Sequence, residues 1–218
     1  MGILDISQPV TSALASLALA EATLTVVRKD DAWAAAVSDE RDKDSKEWMI
    51  SAPTIPKSRA TLFVRFCLAA SEHAAKASGL LSRAGSESAA GKVDGDLLKY
   101  AEDLRRTARA KAMRYLGIDA EMAGKTGEGI AWLRAGLKEL GLAVSEKSGK
   151  KSGLQSLKQA WVEKREDRRI VKGSEKWGMD AGRLEEGRVL EWLEAQWVKL
   201  NNTVSPACNG YWYLIDGF

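Results

Sequence analysis

The stretch GIDAEMAGKTGEGIAWLRAGLKELG, residues 117–141, decides the fold class of this chain. Its triplet GKT at 124–126 ends like a phosphate-binding loop, but Asp119 occupies the place of that loop's first glycine and would repel phosphate. Apolar residues recur every third or fourth position on both sides of the glycines, which is the period of an α-helix. We therefore predict an αα-hairpin over residues 94–140 rather than a nucleotide site. Gly117 is the expected end of its first helix, because glycine adopts left-handed backbone without a steric penalty.

The composition indicates a globular protein that does not bind nucleic acid. Of 218 residues, 45% are apolar and 29% are charged, and the net charge is only +3. No basic stretch is interleaved with aromatic residues, as single-stranded nucleic acid would require. The two cysteines, Cys67 and Cys208, predict neither a disulfide scaffold nor a metal site. With no leader-like N-terminus and no uncharged run of membrane-spanning length, we expect a cytoplasmic protein without a transmembrane segment.

Helical periodicity extends over the rest of the chain. We expect an all-α fold of five long helices and one or two short ones, packed as hairpins into a curved, TPR-like α-solenoid. Residues 10–29 are apolar almost all round, which predicts a helix buried among neighbours. A further helix is expected over 154–173, and Asp180 is the expected cap of the last one. That last helix has an apolar seam of Leu190, Leu193, Trp197 and Leu200, and helical spacing is lost after residue 200.

No catalytic constellation is visible in the sequence. The single histidine, His73, follows Glu72, but no second histidine and no paired carboxylates accompany them. Cys67 is flanked by apolar residues, which predicts a packed thiol rather than a nucleophile. We therefore expect a protein that is not an enzyme and that holds no metal and no cofactor.

One predicted helix carries a basic face. Its cations are Arg105, Arg106, Arg109, Lys111 and Arg114. Because acidic residues lie close by on the same helix, an ordinary solvated face explains the pattern. A groove for an acidic partner is the alternative.

Residues 99–141 resemble the second half of a BRO domain, the curved helical module of the ALIX/Bro family. The resemblance is carried by Leu116, Gly117, Gly124, Lys125, Gly127, Glu128, Ile130, Ala131 and Leu133. Longer stretches, among them CLAASEHAAKAS at 67–78 and EKREDRRIVKG at 163–173, resemble the fungal pH-response regulators of the Pal/RIM pathway. The resemblance implies that residues 1–204 form the C-terminal part of a BRO domain. Residues 205–218 would be a divergent tail, disordered or mis-spliced.

The resemblance also implies a function. Such a protein would be an adaptor in ambient-pH signalling that binds the C-terminal helix of the polymerising ESCRT-III subunit, alongside other components of the pathway. It would be recruited from the cytoplasm to endosomal or cortical plasma-membrane sites. Alignment with the family's hydrophobic patch gives Val26 as the first contact residue and Trp33 and Val37 as further ones, with core packing as the alternative for each. The competing hypothesis is a generic helical-repeat scaffold that holds an acidic peptide on Arg105, Arg106 and Arg109.

Overall fold

The long elements of the chain are all α-helices. The computed structural model describes residues 7–33, 36–37, 57–87, 93–142 and 178–211, and it contains no strand in these ranges. The helices are α1 (Gln8–Lys29), α2 (Lys57–Glu87), α3 (Gly95–Met122), α4 (Thr126–Glu139) and α5 (Arg183–Tyr211). The prediction of an all-α fold is confirmed for this part of the chain. The predicted helix over 154–173 lies outside the described residues.

Each helix packs against the next one along the chain. α1 contacts α2, α2 contacts α3, α3 contacts α4 and α4 contacts α5, while α5 also reaches back to α3. Such neighbour-to-neighbour packing is the arrangement expected of stacked helical hairpins. The larger hydrophobic cluster draws on all five helices and includes Val27, Phe63, Tyr115, Leu137 and Leu193. A smaller cluster joins α1, α2 and α3 around Leu17, Ala74 and Leu104.

Helix α1 is buried on one side only. Pro9 lies in its first turn, where the missing N–H removes no helical hydrogen bond. Val10, Leu17 and Val27 are buried, but Leu19 on the other side is 53% exposed. Within the part of the chain that the structure describes, the helix therefore has packing neighbours on one side only.

The helical hairpin is confirmed, with its corner displaced from the predicted residue. α3 continues past Gly117 to Met122, and the left-handed residue is Gly124, with a φ of 75°. The N–H of Gly124 donates to the carbonyl of Glu121 at 2.8 Å, which closes the turn. Gly117 lies inside α3. Its lack of a side chain leaves room there for the backbone of Gly129 in α4.

Helix α5 begins where the sequence predicts. Asp180 Oδ2 accepts the backbone N–H of Leu184 at 3.1 Å, so this side chain caps the first turn of the helix. Along the predicted seam, Leu190, Leu193 and Trp197 are buried, whereas Leu200 is 53% exposed. The helix runs to Tyr211, beyond the residue at which helical spacing was expected to end.

Candidate partner-binding surface

The outer side of α1 is mostly apolar, with exposed hydroxyls at Thr11, Ser12 and Thr25 and a single charge before its last turn. Among the exposed residues from position 8 to position 26, only Glu21 is charged, and its Oε1 accepts the hydroxyl of Tyr100 at 2.8 Å. The exposed apolar side chains, which we call the α1 face, are Leu14, Ala15, Ala18, Leu19, Ala22 and Val26. Apolar patches of this kind mark interaction sites on proteins.

Helix α1 is also long and apolar enough to cross a membrane. This holds for Gln8–Lys29 by length and composition alone, and 33% of the most apolar window is buried inside the protein. The buried residues belong to the side that packs against α2. The α1 face lies on the side of the helix that does not pack against α2.

Val26 is the most exposed member of the α1 face. Its side chain is 55% exposed, the largest fraction among the large hydrophobic residues that the structure describes. It occupies the last turn of α1, one residue before the fully buried Val27. The adjoining Arg28 and Lys29 are exposed, which makes this end of the face basic. The structure therefore places Val26 where a partner can reach it.

Trp33 and Val37 lie beneath the surface rather than on it. They are 5% and 6% exposed, and both belong to the larger hydrophobic cluster. The ring of Trp33 packs against Trp192 of α5 with centroids 6.0 Å apart and a tilt of 58°. In this arrangement the two residues support the end of α1 from inside and are not available for direct contact, in line with the core-packing alternative.

The arginines of the predicted face pair with two glutamates. Arg105 Nη2 lies 2.7 Å from Glu102 and Arg106 Nε 3.0 Å from the same carboxylate. Arg105 and Arg109 also approach Glu139 of α4, at 3.5 and 3.6 Å. Hydrogen bonds from Arg105, then from Arg106, hold the pKa of Glu102 at about 2. The three arginines therefore already form ion pairs with carboxylates of this chain.

Arg114 does not belong to that face, which corrects the sequence-based assignment. Its side chain is completely buried, and it lies between Asp31, just after α1, and Glu186 of α5. Nη1 and Nη2 donate to the two oxygens of Asp31, while Nε donates to Glu186 Oε1 at 2.6 Å. Lys111 Nζ approaches Glu186 at 2.6 Å and Asp31 at 3.5 Å. We call these four residues the buried ion cluster.

Within the buried ion cluster, Asp31 stays ionised at ordinary pH. Burial alone raises the pKa of Asp31, but the charge and hydrogen bonds of Arg114, together with Lys111, lower it well below its usual value. Sequence reasoning missed the cluster because arginine was assumed to face solvent. The spacing of Arg114 indicates its burial. Arg114 follows the buried Ala110 by four residues and the buried Thr107 by seven, so it lies on the inner side of α3.

The described residues do not assemble reactive chemistry. Burial raises the pKa of Cys67 to about 12, so this side chain is a thiol rather than a thiolate nucleophile. Within the ranges that the structure describes, no group of three or more His, Cys, Asp or Glu side chains is arranged to hold a metal ion.

Comparison with known proteins identifies a relative. No protein-family model matches the chain, and no solved structure matches it. The chain is similar to the "pH-response regulator protein palC" of Emericella nidulans, with 47% identity over 216 residues. That similarity covers 92% of this chain but 43% of palC, so the chain spans less than half of its relative's length. The predicted resemblance to fungal pH-response regulators is thus confirmed, and the chain is similar to palC over less than half of that protein's length.

Proposed function

We propose that this chain acts in fungal ambient-pH signalling as a non-enzymatic adaptor. Its proposed partner is the C-terminal helix of the polymerising ESCRT-III subunit, and its proposed binding surface is the α1 face. The similarity to palC supports the signalling role. The exposure of Val26 beside an almost uncharged helical face supports the mode of binding and is the observation that carries the proposal.

The shape of the α1 face suits a helix. Ala15, Ala18 and Ala22 are small, so a partner helix can approach closely between the larger Leu14 and Val26. From Leu14 to Val26 the helix rises by ~18 Å, at 1.5 Å per residue. That length accommodates about three turns of a partner whose apolar anchors recur at i, i+3, i+4 and i+7.

The charges around the face define the partner further. Arg28 and Lys29 are exposed at the Val26 end, and Glu21 is the single carboxylate along its length. A partner helix with acidic residues near one end of its apolar stripe complements this pattern, and rim charges of this kind contribute mainly to orientation and association rate. We expect the adaptor to work in the cytoplasm and to reach endosomal or cortical plasma-membrane sites through its partners.

Substitution of Val26 tests the proposal directly. Val26→Asp places a charge in the apolar contact, and we expect it to abolish pull-down of the ESCRT-III tail helix. Leu200→Asp is the matched control, because Leu200 is similarly exposed but lies on α5. Helical content measured by circular dichroism should be unchanged in both variants. Undiminished capture by Val26→Asp would remove this surface from the function.

The alternative is a scaffold that holds an acidic peptide on the arginine face. It has less support, because Arg105, Arg106 and Arg109 already pair with Glu102 and Glu139. An acidic peptide would have to displace those carboxylates. Replacement of Arg106 and Arg109 by alanine therefore should leave capture of the tail helix nearly unchanged, whereas the alternative requires it to be lost.

A further inference from the structure

Two carboxylates follow the two cations, Arg28 and Lys29, in the last turn of α1. The helix stops at Lys29 and is followed by Asp30 and Asp31, two carboxylates at the negative end of the helix dipole. Asp30 has Arg59 at 3.7 Å, an exposed pair that contributes little. Asp31 is buried, so the conformation of this helix end depends on what compensates its charge.

Arg114 provides that compensation with a defined direction. Its two terminal nitrogens donate to the two oxygens of Asp31, and a bidentate pair fixes orientation as well as distance. Asp31 Oδ1 also accepts the backbone N–H of Trp33 at 3.3 Å, which ties the chain that follows α1. Just before this point, Val27 is fully buried in the core. The packing of Val27 in the core thus fixes the start of residues 27–33. The Asp31 carboxylate fixes their end through its hydrogen bond with the backbone of Trp33.

The other edge of the Arg114 guanidinium donates hydrogen bonds to α5. Glu186 accepts from Arg114 Nε at 2.6 Å and from Nη2 at 3.3 Å, and it accepts from Lys111 at 2.6 Å. Because the guanidinium is planar and rigid, its orientation towards Asp31 depends on what binds this second edge. Two cations and two carboxylates balance one another, so loss of Glu186 leaves buried positive charge uncompensated.

We infer that Arg114 is a positioning residue for Val26, and that α5 contributes to the binding surface through Glu186. The buried ion cluster sets the direction of the last turn of α1, and that turn carries Val26. A shift of the turn moves Val26 out of line with Leu14 and Leu19 on the α1 face. The inference rests on the proposed function, since alignment of the face matters for binding a partner.

Glu186→Gln tests the inference, with Glu194→Gln as its matched control. Both substitutions remove one carboxylate from α5, but Glu194 pairs with Arg134 of α4 at 2.7 Å and does not touch the cluster. In the 218-residue chain, Glu186→Gln should raise amide hydrogen exchange at residues 27–33 about tenfold relative to exchange in α4. A peptide with the sequence of the ESCRT-III tail helix should bind about tenfold more weakly, as expected when about a tenth of the molecules present the surface correctly.

The outcomes separate the inference from the proposed function. If amide hydrogen exchange at residues 27–33 is equal in Glu186→Gln and Glu194→Gln, the positioning role of Arg114 is overturned. This holds for any result of the peptide-binding measurement. A wild-type chain that does not bind the peptide removes the proposed function, while the exchange measurement still decides the role of Arg114. Glu186→Asp keeps the negative charge, so its exchange rates should lie closer to those of the wild type than the rates of Glu186→Gln do. If Glu186→Gln fails to fold, Lys111→Gln replaces it and should produce a smaller effect in the same direction.

Discussion

Gly117 and Gly129 face each other across the α3–α4 hairpin with nothing between their backbones. A Cβ on Gly129 would lie 3.0 Å from the carbonyl oxygen of Gly117, and a Cβ on Gly117 would lie 3.1 Å from the carbonyl oxygen of Gly129. Trp197 of α5 closes the same contact, with Cζ3 at 3.1 Å from the Cβ position of Gly129. Three helices therefore meet at a point where a Cβ on either glycine would crowd a backbone carbonyl oxygen of the facing helix.

Gly129→Ala should destabilise the chain by about 1–3 kcal/mol, because the added methyl group overpacks a contact between backbones. Urea unfolding monitored by circular dichroism measures the loss. Gly127→Ala is the matched control two residues away, since its Cβ would meet nothing within 4 Å. There we expect a gain of about 0.4–1 kcal/mol from the reduced entropy of the unfolded chain. Equal effects of the two substitutions would contradict the close approach.

Trp33→Ala should cost about 3–5 kcal/mol of unfolding free energy, the usual loss when a large buried aromatic side chain is truncated. The reason is its packing against Trp192 within the larger hydrophobic cluster. Trp33→Phe keeps an aromatic ring and should cost much less, because Trp33 Nε1 has no hydrogen-bond partner among the described residues. A weakened partner interaction without any loss of stability in Trp33→Ala would instead indicate that Trp33 contacts the partner directly.

Acid should weaken the fold partly through Glu102. Its pKa is about 2 in the folded chain against an ordinary 4.5, so the folded state binds this proton less tightly than the unfolded state. The stabilising contribution is therefore complete above the unfolded pKa of about 4.5 and is lost as pH falls towards 2. Unfolding free energies measured across this window should fall less steeply in Glu102→Gln than in the wild type. Parallel curves for the two proteins would show that the arginine pairing does not stabilise the fold.

The hairpin was predictable because its signals are local. The periodicity of residues such as Leu133 and Leu137 and the glycines of the corner depend on neighbours within a few positions. The end of α3 was misplaced for a tertiary reason. Gly117 has the residue type of a helix end, but its role is to admit the backbone of Gly129.

The buried ion cluster could not be predicted from its residue types. Arg114 meets Asp31 and Glu186, which lie 83 and 72 residues away in the sequence. Arg114 shares its side of α3 with Asp103, Thr107 and Ala110. Its partners depend on how α1 and α5 pack. Val26 and Trp33 show the same limit from the other side. The resemblance offered both as contact residues with core packing as the alternative, and the structure exposes only Val26.

The central claim is that the α1 face binds a partner helix by apolar contact. A fluorescence-anisotropy titration of a labelled ESCRT-III tail helix with the 218-residue chain, at low salt and at about 1 M salt, tests it most directly. Salt of that concentration screens exposed charges within about 3 Å and leaves apolar contacts intact. We predict dissociation constants within a few-fold of each other for the wild type and no saturable binding for Val26→Asp. Binding that disappears at high salt, or that survives in Val26→Asp, would contradict the account.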